Sequence, residues 1–146
     1  MTELSKHILL VEDNDNDAEL TLAMLEKGDV PVSVDVVRDG EEALDYLHRR
    51  GAYVDRPAGD PVVVLLDLKM PKVTGVEVLR EVKADEKLKC IPVVMLTSSR
   101  ETQDLQECYR LGANGYVVKP LEAKHFMQVI TNVGAYWAAT NEPPPH

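Results

Sequence analysis

Short apolar runs alternate with stretches of helical periodicity five times along the chain. The first run, His7–Val11, precedes a stretch over about 15–27 that sets Ala18, Leu22 and Leu25 on one face at the helical repeat. Asn14 is suited to cap that helix and Gly28 to stop it. Residues 32–37 alternate between apolar and polar, which predicts a strand with one wet face at the edge of a sheet. Residues 62–66 and 93–96 are apolar throughout, as strands are when both faces are covered in the middle of a parallel sheet. The second helix opens at Asp39-Gly40 and carries Ala43, Leu44 and Leu47, the third runs over Gly75–Ala84, and the fourth over about 102–111. A short strand at 116–118 leads to the last helix, where Phe126, Val129, Ile130, Val133 and Trp137 form an apolar stripe. A loop with Gly51, Pro57, Gly59 and Pro61 separates the second helix from the third strand. The proline-rich tail, 140–146, reads as loose or as lying on a partner.

Five strand–helix units predict an α/β fold, a doubly wound parallel sheet with helices on both faces. With 146 residues and no internal repeat, the chain reads as a single domain over 1–146, its core at about 6–137 and a tail at 138–146. In such a sheet every strand end that leads into a helix lies on one edge, and ligands bind there.

Charge narrows the classes of partner. A net charge of −9, from 25 acidic and 16 basic residues, repels phosphate backbones and anionic lipid, so neither nucleic acid nor membrane is an expected partner. The same field suits a protein that holds a divalent cation. Cys90 and Cys108 form no CxxC pair and read as free thiols. His7, His48, His125 and His146 show no metal-ligand spacing and read as surface residues. The N-terminus lacks a signal-peptide pattern, and no apolar run reaches the roughly 18–20 residues of a membrane span, which places the expected location in the cytoplasm.

The candidate chemistry falls at the strand ends. Glu12 and Asp13 follow the first strand and Asp67 the third, so adjacency of those strands would bring three carboxylates together. Their repulsion calls for a cation, and oxygen ligands alone suit magnesium. Thr97 ends the fourth strand, and Lys119, followed by Pro120, ends the fifth. A hydroxyl and an ammonium beside an acid cluster supply what a phosphoryl group needs: a donor to one oxygen and a compensating positive charge.

Glu12-Asp13, the run Asp67-Leu-Lys-Met-Pro-Lys-Val-Thr-Gly75, Thr97-Ser98 and Lys119-Pro120 resemble the receiver domain of bacterial two-component response regulators, over about residues 6–137. The resemblance implies a flavodoxin-like sheet of order 2-1-3-4-5. It implies that Asp67 accepts a phosphoryl group from a sensor histidine kinase, as a phosphoacceptor and not as a turnover enzyme. Magnesium would be held by Asp13, Asp67 and the backbone carbonyl of Lys69, with Glu12 acting through a metal-bound water. Lys119 and Thr97 would meet phosphoryl oxygens, and Thr97 would move toward the phosphate so that Tyr116 turns inward as a switch. It further implies a cis peptide before Pro120 and a sharp turn at Gly75. The stretches Val-Glu-Asp-Asn, Ala-Glu-Leu-Thr, Leu-His-Arg-Arg-Gly and Ile-Pro-Val-Val-Met-Leu-Thr resemble single-domain regulators paired with bacterial phytochrome kinases. That implies a phytochrome-type kinase partner and a homodimer formed through the fourth helix, fifth strand and fifth helix.

Three other readings are weighed against this one. An aspartyl phosphatase of the haloacid-dehalogenase type needs a second Asp two residues after the first, and Lys69 stands there. A flavin- or nucleotide-binding domain needs a glycine-rich loop after the first strand, and Glu12-Asp13-Asn14-Asp15 is acidic. A degenerate receiver used only as a scaffold would have no reason to keep all five parts of the site.

Overall fold

The computed structural model describes residues 6–28, 30–57 and 59–145. Five parallel strands, β1 (His7–Val11), β2 (Ser33–Val37), β3 (Val63–Leu66), β4 (Val93–Thr97) and β5 (Gly115–Val118), form one sheet of order β2-β1-β3-β4-β5. The helices between and after them are α1 (Asp15–Glu26), α2 (Gly40–His48), α3 (Gly75–Ala84), α4 (Thr102–Arg110) and α5 (Ala123–Ala135). The expected fold and strand order are what the chain adopts.

The pleat sorts side chains to two faces. Ile8 and Leu10 of β1, with Val63 and Leu65 of β3, pack against Met24, Leu25, Phe126 and Ile130 of α1 and α5. Leu9 and Val11, with Val64 and Leu66, face Ala43, Leu44, Val78 and Leu79 of α2 and α3 and Cys108 of α4. Every residue of β3 and β4 is buried, as their unbroken apolar runs predict. β2 lies at an edge and alternates between exposed and half-buried until Val37.

Several local expectations are corrected. Helix α1 buries Ala18, Thr21, Met24 and Leu25, while Leu22 is only half-buried, because the seam with α5 lies to one side of the stripe drawn from the leucines. Helix α5 ends at Ala135, and Trp137 belongs to a single π-helical turn, Tyr136–Thr140. Of the residues beyond that turn, 143–145 lie against the chain's own domain. Lys6 Nζ donates to the Ala138 carbonyl at 2.9 Å, the Asn141 N–H to the Tyr136 carbonyl at 2.6 Å, and residues 143–145 lie by the start of β1. His7 and His48 are not surface residues: one is half-buried in β1, and the other sits between α2 and α3 with Nε2 3.6 Å from Glu81 Oε2. His125 is exposed, and His146 lies outside the described residues.

Two glycines are fixed by close approach. A Cβ at Gly75 would lie 2.1 Å from the Asp67 carbonyl oxygen, and one at Gly40 would lie 2.1 Å from that of Val73. Neither has a positive φ, so Gly75 is required by contact with the Asp67 backbone and not by the expected sharp turn. Within the loop between β3 and α3 the left-handed residue is Lys72, with φ 63°. Thr74 caps α3 by accepting from the Glu77 N–H at 3.3 Å, and the Gly75 N–H closes the loop on the Leu68 carbonyl at 2.9 Å.

Candidate functional site

The parallel register carries the ends of β1, β3, β4 and β5 to one edge. Leu66 pairs with Val11, and the Asp67 N–H continues the ladder to the Val11 carbonyl at 3.1 Å, so Asp67 stands beside the residues that follow β1. The Glu12 N–H is taken by the Val37 carbonyl at 3.0 Å, which fixes the opposite flank. Carboxylate oxygens of Glu12, Asp13 and Asp67 consequently lie within 4.8 Å of one another. Glu12 is buried, Asp13 exposed and Asp67 half-buried.

Lys119 enters from β5, its N–H held by the Thr97 carbonyl at 2.8 Å. Its ammonium donates to Glu12 Oε1 and lies 3.7 Å from Asp67 Oδ2 and 3.4 Å from Asp17 Oδ2. Burial pushes the Glu12 carboxyl up to about 7, aided by the charge of Asp67 and opposed by Lys119 and the Asn14 N–H. Burial pulls the Lys119 ammonium down, yet the Glu12 hydrogen bond and the charges of Asp67, Glu12 and Asp17 outweigh it and hold it above its ordinary value.

This donor set fits a divalent cation. Three carboxylates converge, only Glu12 and Asp67 of them are paired with the Lys119 ammonium, all the donors are hard oxygens, and Asp13 opens the cluster to solvent. Lys69 is exposed two residues beyond Asp67, on the same loop.

Thr97 is buried at the end of β4, with Oγ1 accepting from the Ser99 N–H at 3.3 Å. The Tyr116 ring is already half-buried and packs against the α2–α3–α4 side of the core, while its hydroxyl donates to the Ser99 carbonyl at 3.1 Å. The Lys119–Pro120 peptide is trans, not cis as the resemblance implied. Trans is the intrinsically favoured isomer of an X-Pro bond, and here it is compatible with the Lys119 N–H pairing to β4.

Reading the residues in order missed Asp17 and left the role of Ser99, two after Thr97, open. Asp17 lies in the first turn of α1, directly after the Glu12-Asp13 pair, a position that could have flagged it as close to the same edge. Ser99 is a hub: its hydroxyl donates to Asp104 Oδ2 at 2.5 Å and accepts from the Glu101 N–H at 3.3 Å, so it joins Thr97, Tyr116 and α4. No local pattern announces that role.

The family described as the response regulator receiver domain matches residues 8–131. The chain belongs to that family. This receiver is similar to the response regulator Rcp1 of Synechocystis sp. (strain ATCC 27184 / PCC 6803 / Kazusa), with 36% identity over 92% of this chain and 90% of that protein. The solved Mn2+-bound form of Rcp1 superposes with a TM-score of 0.90. The phosphorylated cyanobacterial phytochrome response regulator RcpA superposes with a TM-score of 0.91 at 39% identity, covering 97% of this chain and 100% of that one. The bacteriophytochrome response regulator AtBRR is 57% identical over 96% of this chain and 100% of its own, with a TM-score of 0.77. The chain is therefore a receiver-domain response regulator related to those associated with phytochromes. Among the described residues, no helix is long and apolar enough to cross a membrane.

Proposed function

We propose that this receiver is a cytoplasmic single-domain phosphorylation switch over residues 1–146, in which Asp67 accepts a phosphoryl group from a phosphohistidine on a phytochrome-type sensor histidine kinase. The observation that carries the reading is Asp67 beside Glu12 and Asp13 with the Lys119 ammonium 3.7 Å from its oxygen. In the transfer, an Asp67 carboxylate oxygen forms the new bond to phosphorus as the bond from phosphorus to the kinase imidazole nitrogen breaks, and the electron pair stays on that nitrogen. Lys119 and the Thr97 hydroxyl are assigned to the phosphoryl oxygens. Positioning and charge neutralisation suffice for such a step, and a site this sparse can supply both.

Magnesium is the assigned ion, held by the carboxylates of Asp13 and Asp67 and the backbone carbonyl of Lys69, with Glu12 behind a water. When bound it neutralises phosphoryl charge as a Lewis acid. The reading is of an acceptor that returns slowly to its free state, not of a turnover enzyme.

Output is assigned to Thr97 and Tyr116, acting on the surface of α4, β5 and α5, through which two copies would pair. Leu105, Tyr109, Leu121 and Met127 are exposed on those elements and the loop joining them, which supports an interface there. The deciding experiment is treatment with acetyl phosphate and magnesium, followed by intact mass. One added phosphoryl group that is absent in Asp67→Asn is the expected result; steady release of phosphate, catalytic in protein, would instead favour a phosphatase.

A further inference from the structure

The loop that begins with Asp67, residues 67–74, is fastened at its two ends. The Asp67 N–H pairs with the Val11 carbonyl at 3.1 Å, and the Gly75 N–H with that of Leu68 at 2.9 Å. Between these points, among the described residues, none of 69–73 exchanges a main-chain hydrogen bond with the rest of the chain. Yet this stretch holds Lys72 in the left-handed region, φ 63°, a conformation that residues with a Cβ rarely adopt. Such a conformation persists only where the surroundings enforce it.

The first turn of α2 supplies that support. Gly40 abuts Val73 so closely that a Cβ would stand 2.8 Å from both the carbonyl carbon and the Cβ of Val73. Beside it, Asp39 Oδ2 lies 3.8 Å from Lys72 Nζ. The turn is itself fixed. Asp39 Oδ1 accepts from the Glu42 N–H at 2.8 Å, Glu42 Oε1 from the Arg38 N–H at 2.9 Å, and Ala43 and Leu44 are buried in the cluster that also takes Met70. The Lys72 side chain is largely exposed, so its ion pair contributes little and the Gly40–Val73 contact is the main brace.

We propose that Gly40, seconded by Asp39, is a positioning residue of the phosphoryl site: it holds residues 69–73 in the shape in which the Lys69 carbonyl and the Asp67 carboxylate serve one ion. This inference rests on the reading of Asp67 and Lys69 as ligands of magnesium, and it places part of the control of that ion on a helix that supplies no ligand.

The test is the magnesium affinity of the full chain by isothermal titration, with urea unfolding of each variant alongside. Gly40→Ala should weaken magnesium binding about 10–100-fold, the range for losing a group that orients a metal ligand. Ile130→Val is the control for stability alone. It opens a small cavity in the core on the other face of the sheet, so it should unfold more easily and keep magnesium affinity within about twofold. Should Gly40→Ala fail to fold, Lys72 decides. Lys72→Val and Lys72→Gly remove the same charge and the same ion pair, but valine resists a positive φ and glycine accepts it. Magnesium should bind Lys72→Gly at least about tenfold more tightly than Lys72→Val. Parental affinity in folded Gly40→Ala overturns the proposal, as does equal affinity of the two Lys72 variants, or weakening by Ile130→Val as large as by Gly40→Ala. A parent chain that takes up no magnesium overturns the reading of the site itself, and this proposal with it.

Discussion

Lys119 Nζ lies 3.4 Å from Asp17 Oδ2, nearer than the 3.7 Å to Asp67 Oδ2, so the ammonium opposite the acid cluster is shared with a carboxylate of α1. Asp17 thereby draws part of the charge of Lys119 away from Asp67. Replacing it should let the ammonium serve the phosphoryl site more fully. Asp17→Asn is predicted to tighten the phosphoryl mimic beryllofluoride by about two- to fivefold, the worth of a half-exposed ion pair. Isothermal titration measures this, and looser binding in the variant would show that Asp17 positions Lys119 productively instead.

Gly75 holds the backbone under Asp67. A methyl group there would need space now occupied by the Asp67 carbonyl, 2.1 Å away, and helix and loop would have to part. Gly75→Ala is predicted to cost about 1–3 kcal/mol in urea unfolding, the range for overpacking a close contact. It should also slow labelling by acetyl phosphate, because the shift falls on the acceptor itself. Unchanged stability and labelling would mean that the loop yields freely.

The two thiols should react very differently. Cys108 is buried among α2, α3 and α4, and that burial, then the charges of Asp104 and Glu107, push its thiol up to about 11. Cys90 is exposed. At pH 8 a disulfide reagent is expected to modify one thiol per folded chain promptly and the second only after denaturant is added, because the thiolate is the reactive species. Counting released chromophore, with Cys90→Ser as the control, decides it. Two fast equivalents from the native protein would contradict the packing of α4.

Ser99 ties the edge of the site to α4 through its contacts with Thr97, Tyr116 and Asp104. Ser99→Ala removes the bonds of the hydroxyl to Asp104 and from the Glu101 N–H but leaves the acceptor and Lys119 untouched. Stability is predicted to fall by about 1–3 kcal/mol, the net worth of two hydrogen bonds. Amide exchange should quicken over 98–108, while labelling of Asp67 by acetyl phosphate stays within about twofold of the parent, a change no larger than a few tenths of a kcal/mol. A large loss of labelling would place Ser99 in the phosphoryl site itself.

Much was legible along the chain because the relevant physics is local. Periodicity sets element type, and the unbroken apolar runs of β3 and β4 require cover on both faces, as the structure provides. The alternating run of β2 reads correctly as an edge for the same reason. The strand-end acids and Lys119 were found because a parallel sheet sends all such ends to one edge whatever the loops do.

What sequence alone determined was therefore the α/β order, the sheet centre and the set of groups at its carboxyl edge. Only the tertiary structure decided how those groups divide one ammonium among Glu12, Asp17 and Asp67, why Gly75 must be glycine, and that His7 and Arg56 share a cavity at the far end. Each of those depends on distances between residues remote in the chain, and hydrophobic periodicity fixes which face a side chain takes but not which atom it meets.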